Sequence, residues 1–298
     1  MTVEEDQSDA SNVSVDAVNV AVADIKNRIG WRETAVDDGV VQKFTAIVLG
    51  SGLGSLADKI QSPIEIPFAQ IRGFARSTAG GHRGQLIVGY LEGARVVAMA
   101  GRLHRYEGWT NRQVTFPIRV MHALGANRLI ASNAAGGVNP RLRVGDIVVI
   151  KDHIDWLHPT RRTRQTSHRR SAFGGSALQG ESILGEPILG EPILRGTDEF
   201  LVRRNGNVYD SAMASQGLAA ARDGGFTAIE GTYLATLGPT YETRAEYRMM
   251  RRMGADVVGM STVGEVLVAA DLGMTVLALS VVSNVADPDR ANVADHAE

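Results

Sequence analysis

Short apolar runs closed by glycine recur along this chain. Phe44-Thr45-Ala46-Ile47-Val48-Leu49 stops at Gly50, and a nearly continuous apolar run of that length suits a strand covered on both faces. Residues 85–90 and 94–100 read as the arms of a hairpin, with Glu92-Gly93 as its turn. Further strands are expected over 128–132, 146–150, 227–236, 256–260 and 274–282. Helical spacing lies between them: 15–29 opens the ordered part, 110–124 runs up to Gly125, and 263–272 runs up to Gly273. Thr243-Arg244-Ala245-Glu246 has capping-box spacing, and Gly254 stands where a helix-ending glycine belongs. Strands alternating with helices predict an α/β fold with a central sheet flanked by helices.

Composition narrows the classes. The chain has 298 residues, 44 % of them hydrophobic, which suffices for one large core or two modest ones. A net charge of −2 gives no general drive toward nucleic acid or anionic lipid. The absence of cysteine excludes disulfides and thiolate metal sites, and fits a cytoplasmic protein. Residues 1–16 are acidic and serine-rich, without the basic start and apolar centre of a signal peptide, and are read as a disordered extension. Residues 17–298 form the single expected domain. No run of about 18 apolar residues marks a membrane span.

One segment breaks the alternation. Residues 160–170 are basic and polar, and the near-tandem repeat Gly180-Glu181-Ser182-Ile183-Leu184, Gly185-Glu186-Pro187-Ile188-Leu189, Gly190-Glu191-Pro192-Ile193-Leu194 follows. Three such short copies cannot build a solenoid core. A surface insertion over about 160–200 is expected, with its basic stretch read as a solvated loop in preference to a polyanion contact.

Polar residues gather among glycines where the strands end. Gly50-Ser51-Gly52-Leu53-Gly54 follows the first strand and reads equally as an anion cradle or a tight turn, since it lacks the Walker lysine. Gly80-Gly81-His82-Arg83-Gly84 holds a histidine before a strand. In Gly101-Arg102-Leu103-His104-Arg105-Tyr106-Glu107-Gly108, extended geometry would point Arg102 and His104 the same way, making an oxyanion site or a salt-bridged strand end. Ser132-Asn133-Ala134-Ala135-Gly136-Gly137 presents small residues that let a ligand approach the backbone. Leu237-Gly238-Pro239-Thr240-Tyr241-Glu242-Thr243 puts an aromatic ring beside a carboxylate before a helix, to grip a flat ring or only to cap the helix. Gly259-Met260-Ser261-Thr262 and Ser283-Asn284 end two more strands. Ligand crevices in open α/β sheets lie at carboxyl ends of strands. The histidines lie apart without ligand spacing, so no metal site is expected.

These stretches, together with Val114-Thr115-Phe116-Pro117, Val144-Gly145-Asp146-Ile147, Asp152-His153-Ile154, Glu230-Gly231-Thr232-Tyr233 and the run 254–265, resemble the trimeric purine nucleoside phosphorylases in one order from about residue 44 to 284, interrupted by the insertion. The resemblance implies a single-domain phosphorylase fold with a mixed sheet, a cytoplasmic homotrimer, and a glycosyltransferase of purine salvage. It needs no cofactor, and inorganic phosphate serves as co-substrate. It assigns Ser51, Arg102, His104, the Ala134 backbone and Ser261 to phosphate, with His82 beside them. It places Tyr106 and Met260 at the ribose, Tyr241 against sugar and base, Glu242 and Asn284 on the purine, and His296 near the 5′-hydroxyl. His104, Glu242 and Asn284 would carry the chemistry. An Asn284 amide can accept from purine N7–H and donate to O6, and Glu242 can accept from N1–H. Adenine has no hydrogen at N1, so inosine and guanosine are the expected substrates.

The chain also departs from that pattern. Val285-Ala286-Asp287-Pro288 follows Asn284 differently. The insertion stands where the family carries a phenylalanine that reaches a neighbouring subunit, with Phe200 as a candidate replacement. The chain stops at Glu298, before the family's terminal helix. A methylthioadenosine phosphorylase, which would carry aspartate at position 284, a water-using nucleoside hydrolase, and a catalytically inactive nucleoside-binding homologue remain as alternatives.

Overall fold

The computed structural model describes residues 15–30, 44–76, 83–157 and 208–286. The expected extension and insertion, with His82, Phe200 and His296, fall outside the described residues, apart from Val15 and Asp16. Those two open the first helix, α1 (Val15–Arg28). The chain then runs β1 (Phe44–Leu49), α2 (Gly54–Ala57), β2 (Gln61–Pro67), β3 (Gln85–Leu91), β4 (Ala94–Ala100), α3 (Asn111–Ala123), β5 (Ala126–Gly137), β6 (Ile147–Asp155), α4 (Ser211–Asp223), β7 (Ala228–Ala235), α5 (Arg244–Arg252), β8 (Val257–Gly259), α6 (Val263–Asp271) and β9 (Thr275–Val285).

The strands form one mixed sheet in the order β2-β3-β4-β1-β5-β8-β7-β6-β9, and β9 pairs back onto β5. Five strands therefore close on themselves, and β1, β4, β3 and β2 extend from β5 as an open wing. β1 runs parallel to both β4 and β5, while β5 meets β9 in parallel and β8 antiparallel. The β3–β4 turn has Glu92 at φ 48° and Gly93 at φ 76°, the left-handed pair that a two-residue hairpin turn requires.

The helices bury their apolar stripes on this sheet. Ala21 and Ile25 of α1, Phe116, Val120 and Met121 of α3, and Val266, Leu267 and Ala270 of α6 pack with Val48, Leu129 and Val276 in the largest core cluster. Ile47, Leu49, Ile60, Ile87 and Ala98 fill the other face of the wing. All of residues 263–270 are buried, so α6 is an interior helix.

Helix α3 starts as its capping box predicts: Thr110 accepts from Gln113 N–H and the Gln113 side chain accepts from Thr110 N–H. The Thr243–Glu246 box starts α5 in the same way. Three strands run past their expected ends, β6 among them, which continues beyond Ile150 to Asp155 along β7. β5 continues through Ser132–Gly137, expected as a closing loop, because β9 and β8 pair that stretch from both sides. β9 continues to Val285 through an irregularity at Ala135/Gly136, where Ala135 faces Val282 and Gly136 faces Asn284. A bulge of this kind re-aims the side chain that follows it. β2 and α4 were not set apart by the sequence pattern. β2 is an exposed edge strand with two prolines and one buried residue, Ile66.

Candidate active site

The ends of β1 and β4 meet the middle of β5 because the chain is small there. A Cβ on Gly50 would lie 2.6 Å from the Ser132 carbonyl oxygen and 2.7 Å from Asn133 Cα, so only glycine lets the first loop lie against β5. Gly50 N–H donates to Ser132 Oγ at 3.3 Å, and Ser132 Oγ donates to the Val48 carbonyl at 3.0 Å. Ser51 follows, exposed on the loop.

Arg102 lies two residues beyond β4 and is 2 % exposed. Its Nε donates to Glu265 Oε1 at 2.9 Å, its Nη2 to Glu265 Oε2 at 2.8 Å, and its Nη1 to the Ser132 carbonyl at 2.9 Å. Both side chains of the ion pair are 2 % exposed. A two-pronged pair of this geometry fixes the guanidinium plane. It also cancels the net charge locally, so the favourable potential for an anion here depends on directed N–H and O–H groups more than on one free cation.

His104 follows on the same strand extension. Glu107 Oε1 accepts from the His104 backbone N–H at 2.8 Å and lies 2.9 Å from Nδ1. A carboxylate oxygen carries no hydrogen, so Nδ1 bears the proton and Nε2 of the neutral ring is an acceptor. Burial lowers the His104 pKa below its ordinary value, the Arg102 charge adds to this, and Glu107 opposes it. Tyr106 stacks on the His104 ring, centroids 4.8 Å apart and 15° between planes. Burial, then the Glu107 charge, raises the Tyr106 pKa.

Helix α6 begins beside this cluster. Thr262, at φ 70° and ψ −50°, forms a γ-turn in which Val263 N–H donates to the Ser261 carbonyl at 2.8 Å. Such a conformation costs a β-branched residue about 1–3 kcal/mol and persists only under surrounding constraint. The constraint comes from Asn133 Nδ2 donating to Thr262 Oγ1 at 2.9 Å and from the buried Tyr233 hydroxyl, which accepts from Ser261 N–H at 3.3 Å. The turn sets Ser261 ahead of a buried helix N-terminus, where backbone N–H groups favour anions. Ala134 lies one residue beyond Asn133 in β5.

Further candidate residues lie on the loops that follow β7 and β8, two paired strands. Thr236 N–H donates to the Gly259 carbonyl at 2.8 Å. Gly238, at φ 66°, lies against the Met260 side chain, with the 238–239 peptide cis. Tyr241 is 46 % exposed on the same loop. Glu242 is half-buried and accepts through both oxygens: Thr236 Oγ1 donates to Oε1 at 3.0 Å, and Tyr247 Oη donates to Oε2 at 3.1 Å. Across β5, a Cβ on Gly136 would lie 3.6–3.7 Å from the Asn284 amide atoms, and Ser283 Oγ donates to Asn284 Oδ1 at 3.2 Å.

Arg102 thus bonds directly to Ser132 and to Glu265 of α6, Asn133 bonds to the turn that carries Ser261, and Ser51, His104, Tyr106 and Ala134 lie close by in the chain. Met260, Glu242 and Asn284 follow through the β8–β5–β9 pairings. Sequence reasoning missed Glu107, Glu265, Thr236 and Tyr247. Glu107, three residues from His104, was open to a spacing argument. Glu265 stands 163 residues from Arg102, and nothing local joins them. Among the described residues no group of His, Asp and Glu could hold a metal ion, and no described helix is long and apolar enough to cross a membrane.

These contacts lie on one mixed sheet, among the loops that follow its strands. A family model for the phosphorylase superfamily matches residues 45–298, and the chain belongs to that superfamily. Within it the chain sits among the purine nucleoside phosphorylases. It is 43 % identical over 240 residues to purine nucleoside phosphorylase 1 of Bacillus subtilis (strain 168), across 80 % of this chain and 78 % of that one. It is 39 % identical over 261 residues to the purine nucleoside phosphorylase of Rattus norvegicus, across 85 % and 80 %. A solved Schistosoma mansoni purine nucleoside phosphorylase in complex with acetate superposes with a TM-score of 0.69 at 34 % identity, covering 94 % of this chain and 91 % of that one. Isoform 2 from the same organism, in complex with cytosine and ribose-1-phosphate, gives 0.68 at 33 %, covering 91 % and 84 %.

Proposed function

We propose that this chain catalyses the reversible phosphorolysis of 6-oxopurine nucleosides, inosine and guanosine with their deoxy forms, to free base and (deoxy)ribose 1-phosphate. The reading is supported by a chain of contacts: Arg102 bonds to Ser132 of β5, Asn133 bonds to the turn that carries Ser261, β5 pairs with β8 and with β9, which carries Asn284, and Thr236, which bonds to Glu242, also bonds to the end of β8.

The chemistry follows from that arrangement. Breaking C1′–N9 sends the electron pair to the purine and leaves positive charge at C1′. A hydrogen phosphate held by Ser51, Ser261, the Ala134 backbone and Arg102 supports that charge and then bonds to C1′. Donors already fixed by Glu265, Ser132 and the strained Thr262 turn need no reorganisation as charge develops. Hydrogen phosphate has one hydrogen, the sugar phosphate product has none on phosphorus oxygens, and the neutral base gains one. His104 Nε2, free of hydrogen while Nδ1 faces Glu107, can accept the phosphate P–OH hydrogen bond. Asn284 receives N7–H as the base departs, and Glu242 accepts from N1–H. Tyr106 and Met260 flank the sugar, and Tyr241 covers sugar and base. Facing adenine N1, Glu242 would meet an acceptor, a mismatch worth several kcal/mol in a hydrogen-bonding site.

His82 and His296 belong to the same proposal, beside phosphate and near the 5′-hydroxyl. So do a homotrimer in the cytoplasm, phosphate as co-substrate and no cofactor. Incubation with inosine and phosphate should yield hypoxanthine and ribose 1-phosphate, with no hypoxanthine when phosphate is left out. Base release without phosphate would replace this reading with hydrolysis, and purine binding without turnover would replace it with an inactive binder. Glu242→Ala should abolish guanosine turnover and leave phosphate binding intact; unchanged turnover would remove Glu242 from the mechanism.

A further inference from the structure

The contacts of Glu242 carry more than its place on the purine. Tyr247 stands in α5 and is 7 % exposed. Its ring belongs to a core cluster with Val138, Leu234, Met250 and Val258. That cluster needs only the ring. The hydroxyl is additional, and it points at Glu242 Oε2, 3.1 Å away, while Thr236 Oγ1 holds Oε1 at 3.0 Å. Each carboxylate oxygen offers two lone-pair directions. One direction on each is taken by a protein hydroxyl, which leaves one per oxygen.

Resting on the phosphorolysis reading above, we infer that Tyr247, with Thr236, is a specificity-determining positioning residue: it pins Glu242 so that both oxygens face two parallel N–H donors on one ring edge, favouring guanosine over inosine. A 2-amino-6-oxopurine presents N1–H and a 2-amino N–H side by side and engages both oxygens. Hypoxanthine presents N1–H alone and leaves the second oxygen without its partner. A carboxylate free to rotate would lose the two-donor match first, because two bonds must align at once. Burial, followed by the Glu242 charge, raises the Tyr247 pKa, so the hydroxyl stays a donor throughout the working range.

The test is steady-state phosphorolysis by the full chain, wild type against Tyr247→Phe, with guanosine and inosine at saturating phosphate, and phosphate KM measured separately. Tyr247→Phe keeps the ring in the core and removes only the hydroxyl. Guanosine kcat/KM should fall about tenfold, the low end of the scale of one hydrogen bond to a charged group, most of it in KM, and inosine kcat/KM by no more than about threefold. Phosphate KM should not move. Thr236→Val should bias the two nucleosides the same way, and Thr236→Ser should restore the wild-type ratio. Equal losses on both nucleosides, or no loss at all in an enzyme whose wild type is active, would overturn the inference. A wild type that releases no base from either nucleoside would overturn the phosphorolysis reading instead. If Tyr247→Phe does not fold, the Thr236 pair decides by the same ratio.

Discussion

Glu265→Leu is the sharpest test of how the anion end is built. The substitution leaves the Arg102 guanidinium in place with two of its charge-assisted bonds gone, at 2.9 and 2.8 Å in the wild type. Both side chains are 2 % exposed, so water cannot replace the carboxylate without opening the core. Breaking such a pair costs about 3–5 kcal/mol, mainly because a buried charge loses its partner. For a chain of this size that is a fall in Tm of about 6–10 °C, at roughly 2 °C per kcal/mol. Replacing both partners by apolar residues of similar volume, as in R102M/E265L, removes the stranded charge. It should return the protein to within about 2 kcal/mol of wild type, the Ser132 carbonyl having lost one donor. Urea unfolding of the wild type, both single variants and the double variant gives the coupling directly. The double variant should be stable yet poor in phosphorolysis, with phosphate KM raised far more than nucleoside KM. A Glu265→Leu variant as stable as wild type, or a double variant as unstable as the sum of the singles, would refute the claim that this pair is a buried, mutually dependent unit.

Three further outcomes follow from contacts in the same crevice. Gly50→Ala would drive a Cβ into the Ser132–Asn133 backbone and should cost about 1–3 kcal/mol while raising phosphate KM; normal phosphate KM in a folded variant would dismiss the close approach. Gly238→Ala should push the Met260 side chain aside and raise nucleoside KM with phosphate KM unmoved, which initial-rate kinetics in both substrates would read. The lowered His104 pKa fixes a sign: the unfolded chain takes up this proton first, so the contribution of His104 to stability is full above about pH 6.5 and is lost as pH falls toward the folded value. The stability advantage of wild type over His104→Gln should therefore shrink between pH 7.5 and 5.5, and an advantage constant over that window would remove the buried neutral ring from the account.

What the sequence made legible divides by the range of the interaction. Strands β1, β3 and β4, the 92–93 turn and the capping boxes of α3 and α5 are written in neighbouring residues, and the structure has them where the pattern places them. The loops at strand ends were legible too, because glycine beside Ser, Arg or His is a local signal. β2 was not, since an edge strand with prolines and one buried side chain has no alternation to read. The extension of β5 through Gly136-Gly137 was hidden for the opposite reason: local propensity says turn, and pairing with β8 and β9 overrides it. The same division runs through the site. The groups proposed for phosphate and purine stand out one by one in the sequence, but the groups that bond to them do not. Glu265 on Arg102, Tyr233 on the Ser261 turn and Tyr247 on Glu242 arrive from other elements: the tyrosines look like core residues in the sequence, and Glu265 looks like a surface charge. A crevice whose donors must be rigid before the substrate arrives needs such supports, and a buried support reads as packing until its polar atom is seen to touch a functional one. Selectivity in this fold is therefore expected to change first at the supports. A variant such as Tyr247→Phe keeps every group assigned to the purine and still alters which purine fits best.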